Sequence, residues 1–218
     1  MTVSDQESAK QKKILLGLQE KKLKLSQEIS ELIEPVREKL IEDKKSSKGA
    51  IKEYSLDPVL QWNFESGLKD QILNLKANLK NGAAVENGRL ILRKGGYAVT
   101  DNLPIEISEK TLSSWVQLDN LNQRAGGVIT IQNLNGGIFD SIVFAEKEPR
   151  KWMSGSNGFS RTKSFPSAPP ENLAHNQLVH IAITYSPDGK ITGYRNGEIY
   201  GKPYTTNLYK YEKNKSVI

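Results

Sequence analysis

Apolar positions in the first part of the chain recur at alternating spacings of three and four. One lysine interrupts the series, which consists of Leu15, Leu18, Lys22, Leu25, Ile29, Leu32 and Val36. This spacing places the apolar side chains on one face of an α-helix, at the a and d positions of a heptad repeat. The pattern therefore predicts a helical segment over residues 1–45.

Pro35 interrupts this segment, because proline lacks a backbone N–H and clashes with the preceding turn. We expect a kink there, or two helices. The few imperfect heptads favour a helical hairpin, or a helix that packs on a neighbouring domain, over a dimeric coiled coil. All these alternatives stay open. Residues 44–49 contain no apolar side chain and two serines, which predicts a linker over residues 46–53.

From residue 54 onwards the apolar period changes to two, which is typical of β-strands. Short alternating or wholly apolar runs are separated by glycine, asparagine and proline. The predicted strands cover residues 59–64, 89–92, 97–100, 111–118, 128–131 and 142–144. Many short strands with regular turn signals indicate a sandwich or a barrel.

The clearest pattern runs from Leu178 to Tyr200 and predicts a three-stranded antiparallel meander. Alternate residues from Val179 to Tyr185 are apolar and should face the core, with His180 on the other face. The sequence Asp188-Gly189 marks the first turn. Asn-Gly at 196–197 is a strong signal for a two-residue hairpin, because both positions must adopt positive φ.

Charge and composition exclude several classes of function. The net charge is +6, but residues 1–50, the middle of the chain and residues 207–218 each carry +2, so no basic patch indicates nucleic-acid binding. No run is long and apolar enough for a membrane span. There is no cysteine, hence no disulfide or thiolate chemistry. The first residues lack signal-peptide features, which fits a cytoplasmic protein or an internal piece of an exported chain.

Two separated motifs resemble laminin G-like domains of the concanavalin A type. The stretch HIAITY (180–185), followed by DGK (188–190) and YRNGE (194–198), is similar to the late strands of these jelly rolls. TLSSWV (111–116) is similar to an earlier strand in which a threonine leads into a Trp-Val pair. The resemblance implies a mainly β fold: an antiparallel concanavalin A-like β-sandwich jelly roll over residues 54–206, preceded by the α-helical segment.

A more particular resemblance lies in FDSIVFAE (139–146), RKWMSGSN (150–157) and Arg161-Thr162. These stretches resemble a subgroup in large planctomycete-type bacterial proteins, where the domain is inserted among cytochrome c-type domains and two domains of unknown function. The resemblance implies a periplasmic or extracellular location and neighbouring domains as partners. Family members continue with further strands after the last hairpin, so we expect a truncated sandwich and a basic tail over 207–218.

The residues give little support for catalysis. His175 lies in a polar loop, and the strand position of His180 suits a structural or surface histidine. Glycosidases need two carboxylates close together. Glu146 and Glu148 are two residues apart, but Pro149 predicts a loop there. We therefore expect a non-catalytic module, with a glycoside hydrolase or lyase and a structural spacer as alternatives.

Calcium is the one candidate ion, because related domains bind it through Asp and Asn oxygens at the rim. Asp140 and Asn157 are the candidate ligands, together with Asp119. None lies in a dense acidic loop, and turn or strand-end roles explain them as well. Our expectation is therefore no cofactor, with calcium as the exception to test.

The segment 150–161 is the candidate ligand-binding site. Aromatic and planar polar side chains occur together in a Gly/Ser-rich stretch that predicts a loop or strand edge, and the candidates are Arg150, Trp152, Asn157, Phe159 and Arg161. The alternative is that Trp152 belongs to the core and that both arginines are structural. The expected function is a binding module for a glycan or a protein ligand.

Overall fold

The computed structural model describes residues 3–46, 57–93 and 95–218. The chain divides into two compact units, residues 1–57 and residues 58–218. Helix α1 in the first unit runs from Val3 to Ser46 and includes Pro35. The predicted N-terminal helical segment is confirmed as one helix, whereas the alternative of two helices is not found. Most of the predicted linker, from residue 47 onwards, lies outside the described residues.

The second unit is built from β-strands, in agreement with the predicted fold class. The thirteen strands of the described residues are β1 (Ala77–Lys80), β2 (Ala84–Glu86), β3 (Arg89–Ile91), β4 (Tyr97–Thr100), β5 (Lys110–Val116), β6 (Gly127–Asn133), β7 (Phe139–Phe144), β8 (Trp152–Ser156), β9 (Val179–Tyr185), β10 (Lys190–Arg195), β11 (Glu198–Ile199), β12 (Tyr204–Thr205) and β13 (Ser216–Val217). A 3₁₀ turn, Asn157–Phe159, follows β8.

Two antiparallel sheets form the body of the sandwich. The five-stranded sheet has the order β11-β10-β9-β5, and β12 also pairs with β10. The four-stranded sheet has the order β13-β6-β7-β8. Two smaller ladders join β1 to β4 and β2 to β3. This is the predicted mainly β, antiparallel sandwich.

The predicted meander corresponds to β9, β10 and β11. Asn196 and Gly197 adopt φ values of 51° and 85°, as the predicted hairpin requires. Alternate residues of β9 are buried between the sheets, Ile181 and Ile183 among them, so the predicted alternation of faces is also confirmed. Each such side chain contributes about 1.5–3 kcal/mol on complete burial. The core between the sheets therefore fixes the register of this meander.

The four-stranded sheet faces this core with Ile131, Ile142 and Phe144, none more than 1% exposed. Strands β7 and β8 of this sheet differ from β9 in one respect. All five residues of β8 are buried, and so are all residues of β7 except Phe139. These two strands are therefore covered on both faces.

Two predicted boundaries differ from the structure. Residues 59–64 form irregular backbone with bends at 59, 60 and 64 rather than a strand. Residues 207–218 are not a tail: Ser216 and Val217 pair with β6, and Tyr211 is 1% exposed. The family resemblance implied that the sandwich ends before this segment, but Tyr211 and Val217 bury their side chains against the core.

Candidate functional site

The predicted site segment begins on β8, where Trp152 points into the sandwich. Its side chain is 1% exposed and packs against Phe144, with ring centroids 4.8 Å apart. Its indole Nε1 donates a hydrogen bond of 2.8 Å to Glu171 Oε2. Trp152 therefore has no surface to offer a ligand, in agreement with the alternative that it belongs to the core.

Glu171 is the centre of a buried polar cluster that we call the Glu171 cluster. Arg195 donates to both carboxylate oxygens, at 2.8 and 2.9 Å. The backbone N–H groups of residues 172–174 donate to Oε1. Burial opposes ionisation, but the hydrogen bonds from Arg195 and Trp152 outweigh it and lower the pKa of Glu171 to about 2. Arg150, itself an exposed residue, donates from Nε to the Glu171 carbonyl at 3.0 Å.

Asp140, Lys110 and Arg161 form a second interior group, the Asp140 cluster. Lys110 Nζ on β5 lies 2.9 Å from Asp140 Oδ2 on β7, so the pair joins the two sheets. Arg161 Nε donates to Asp140 Oδ1 at 2.8 Å. Burial lowers the pKa of Lys110, although the negative charge of Asp140 opposes this shift. Opposite charges within the sandwich thus compensate one another.

The candidate calcium ligands are occupied by this arrangement. Asp140 carries a cationic partner on each oxygen, and Asn157 Oδ1 accepts from Arg161 Nη2 at 3.1 Å. Asp119 is exposed and lies outside both clusters. Within residues 3–46, 57–93 and 95–218, no group of three or more histidine, aspartate or glutamate side chains is placed to hold a metal ion. Calcium binding stays a prediction.

Phe159 is the one aromatic residue of the predicted set that reaches the surface. Its ring is 48% exposed, and Lys147 Nζ lies 5.1 Å from the ring centroid. The structure therefore divides the predicted set: Trp152 and Arg161 enter the interior clusters, while Arg150 and Phe159 stay accessible. The ligand-binding role of the set remains a prediction.

The outer face of the five-stranded sheet carries exposed aromatic and apolar side chains that the sequence analysis did not select. Trp115 on β5 is 66% exposed, and Ile199 on β11 is 64% exposed. Strand pairing places further outward residues between them. We call this surface the Trp115 face; its accessible residues are Ser113, Trp115, His180, Tyr194 and Ile199, with the small buried Ala182 between them.

The geometry of the Trp115 face combines ring surface with hydrogen-bonding groups. The rings of Trp115 and His180 lie opposite each other on paired strands, with centroids 5.2 Å apart. His180 Nε2 and Ser113 Oγ are 2.8 Å apart and share a hydrogen bond. Four neighbouring strands at about 4.8 Å spacing make this surface roughly 14 Å wide. It is therefore an extended, shallow face rather than a deep pocket.

A signal for this face is present in the sequence. In TLSSWV (111–116), Thr111, Ser113 and Trp115 share one side of the strand, and apolar Leu112 and Val116 share the other. A tryptophan on the polar side of an alternating strand should face solvent.

A separate surface pocket of about 290 Å³ lies beside the turn that joins β6 and β7. Asn133, Leu134 and Asn135 line one side, while Tyr209 and Tyr211 line the other. The two tyrosine rings meet edge to face, 4.9 Å apart. The Arg161 guanidinium lies 5.8 Å from the Tyr209 ring centroid, so this wall is continuous with the Asp140 cluster.

Comparison with known proteins places the fold. No curated protein matches the chain. Among solved structures, the chain is similar to domain 4 of AbnA, an extracellular GH43 arabinanase from Geobacillus stearothermophilus, in complex with arabinotriose. The identity is 15%, the TM-score 0.53, and the match covers 72% of this chain and 81% of that domain. Because residues 92–218 match the laminin G-like family model of the concanavalin A-like lectin/glucanase superfamily, the chain belongs to that family.

Proposed function

We propose that this protein is a non-catalytic carbohydrate-binding module whose ligand lies on the Trp115 face. The observation that carries the proposal is the exposed Trp115 ring beside the hydrogen-bonded pair of His180 and Ser113. A sugar ring has an apolar face that stacks on an aromatic side chain and hydroxyl groups that require donors and acceptors at its edge. The Trp115 face offers both on one surface.

Two further observations support this proposal. The superfamily includes lectins, and the similar arabinanase domain was solved with arabinotriose. The interior carboxylates support the non-catalytic part, because Glu171 and Asp140 are both committed to cationic partners inside the sandwich. A glycosidase pair needs one carboxyl group that is protonated before reaction, whereas the pKa of Glu171 is lowered to about 2.

The proposal extends to the setting of the module. We infer a role within a larger exported protein, as the subgroup resemblance implies, with neighbouring domains as partners. Among the described residues, no helix combines the length and the hydropathy that a membrane span requires. Sequencing the adjacent coding region tests this setting: Cys-x-x-Cys-His motifs would support the cytochrome-type neighbours, and unrelated domains would contradict them.

A glycan array followed by calorimetry tests the binding function. We expect the full chain to bind neutral oligosaccharides, with arabinotriose as the first probe. Trp115→Ala should weaken binding at least about tenfold, which corresponds to about 1.4 kcal/mol. Phe159→Ala is the matched control, because it removes another exposed aromatic ring from the segment predicted first.

The outcomes separate the alternatives. Unchanged affinity for Trp115→Ala with weaker binding for Phe159→Ala would move the site to the segment 150–161. Binding that survives both substitutions would contradict both placements. No binding to any glycan would favour a structural spacer or a protein ligand. Both variants replace exposed side chains, so thermal unfolding should confirm that each stays folded.

A further inference from the structure

Helix α1 carries an exposed apolar seam over residues 15–36, in which Lys22 occupies one position. Five of its a and d positions are between 48% and 74% exposed: Leu15, Leu18, Leu25, Leu32 and Val36. We propose that the same seam of a second copy of this chain covers them, with the two helices antiparallel. The proposal concerns assembly and is independent of the proposed sugar binding.

The spacing of the seam identifies the kind of partner. The seam spans residues 15–36, about 33 Å of helix, and most helical stability in proteins comes from packing an apolar face. A stripe at alternating spacings of three and four, flanked at its first turn by the exposed side chains of Ile14 and Leu16, fits another helix with the same stripe through knobs-into-holes packing. A broader apolar face would fit a globular neighbour better.

The charge along α1 determines the orientation. Residues 3–24 contain six basic and three acidic side chains, a net charge of +3. Residues 25–46 contain four basic and six acidic side chains, a net charge of −2. A parallel pair would place like-charged halves together, whereas an antiparallel pair places each half against its opposite. Antiparallel helix dipoles favour the same arrangement.

One antiparallel register satisfies both the seam and the charges. When Leu15 of one chain lies against Leu32 of the other, every a position meets a d position, and the two central layers pair Leu25 with Lys22 of the other chain. Lys21 and Glu28 both occupy g positions beside this seam. The register brings Lys21 of each chain opposite Glu28 of the other, which gives two symmetric ion pairs.

Such a dimer would carry two β-sandwich modules. Pairing two weak binding faces raises the apparent affinity for a repeating polymer without any new contact to the ligand. A long glycan displays the same unit many times, so it is the kind of ligand that a bivalent module would hold. Dimerisation would therefore increase the apparent affinity for a long glycan if the Trp115 face binds sugar. The association of the two helices does not depend on sugar binding.

Sedimentation equilibrium on the full chain over a dilution series tests the association. We expect a species of twice the 24.4 kDa chain mass that dissociates on dilution. Leu18→Ala on the seam should raise the dissociation constant about tenfold or more. Leu16→Ala is the matched control: Leu16 is also exposed but occupies a b position, and its substitution should change the constant less than about twofold. A monomer at every concentration, or equal effects of both substitutions, would overturn the proposal.

Charge reversal and cross-linking test the orientation. Lys21→Glu and Glu28→Lys should each weaken the dimer about fivefold, and the double variant should restore it. In a parallel pair Lys21 would face Ser26, so no rescue would occur.

Cysteine cross-linking is a second test of the orientation. The chain has no cysteine of its own, so any disulfide must form between the introduced cysteines. We expect a disulfide only when Leu15→Cys is mixed with Leu32→Cys; ready cross-linking of Leu15→Cys alone would show a parallel pair and overturn the proposal.

Discussion

Trp152 and Trp115 lie on strands of opposite sheets and have opposite environments. Trp152 is enclosed with Phe144 and donates to Glu171, whereas Trp115 stands on an outer face beside His180. The predicted binding segment contains the first residue, and the face that we propose for binding contains the second. The comparison teaches that an aromatic ring near arginines and asparagines is no sign of a binding surface until its side of the strand is known.

The largest loss of unfolding free energy should come from replacing Asp140, which is buried in the interior as Trp152 is. Asp140→Asn keeps the shape of the side chain but leaves Lys110 and Arg161 without a counter-charge. Because breaking a buried ion pair leaves an uncompensated charge, we expect a loss of about 3–5 kcal/mol in unfolding free energy. Urea denaturation followed by tryptophan fluorescence measures the sandwich alone, since Trp62, Trp115 and Trp152 all lie in residues 58–218.

An exposed ion pair provides the control for Asp140. Glu212 and Lys215 form a pair at 2.6 Å, with side chains 57% and 70% exposed. Glu212→Gln should change the unfolding free energy by less than about 0.5 kcal/mol. Equal losses for the two variants would mean that Asp140 is solvated, and its cluster would then be open to a cation after all.

The second effect is a pH dependence that Glu171 gives to the sandwich. Its pKa is about 2 in the folded chain, below the ordinary 4.5. A lowered carboxyl pKa stabilises the folded state above pH 4.5, and this stability is lost as the pH falls from about 4.5 to about 2. Up to about 3 kcal/mol should disappear over this window. Urea unfolding at a series of pH values measures the loss, and Glu171→Gln should flatten it; an unchanged slope in that variant would assign the acid sensitivity elsewhere.

Local patterns explain which parts of the fold could be predicted from the sequence. Asn196-Gly197 and the alternation through β9 identify the meander within a few residues of chain. The alternating spacings of three and four likewise identify the apolar seam on α1 from nearby residues alone. The segment 207–218 could not be placed in this way, because β13 pairs with β6 more than eighty residues earlier and only the complete core shows where Tyr211 fits.

The site was harder to predict for the same reason. Glu171 is 19 residues from Trp152 and 24 from Arg195, so no local pattern connects the three side chains. If Glu171 is not considered, the sequence around Trp152 suggests an accessible aromatic ring between Arg150 and Arg161. Trp115 is the opposite case, since the alternation of its own strand contains the information on its exposure.

The smallest effect, and the most direct test of the comparison, is the same substitution at both tryptophans. Trp152→Phe keeps an apolar ring but removes the N–H that donates to the anionic Glu171, which should cost about 1.5–3 kcal/mol in unfolding free energy. Trp115→Phe changes an exposed ring and should cost less than about 0.5 kcal/mol. Urea denaturation of the two variants side by side measures this difference.

For oligosaccharide affinity we expect the reverse order of the same two variants. Trp115→Phe should lose affinity several-fold, because a smaller ring offers less stacking surface, and Trp152→Phe should lose none. A binding loss confined to Trp152→Phe in a folded protein would return the site to the segment 150–161.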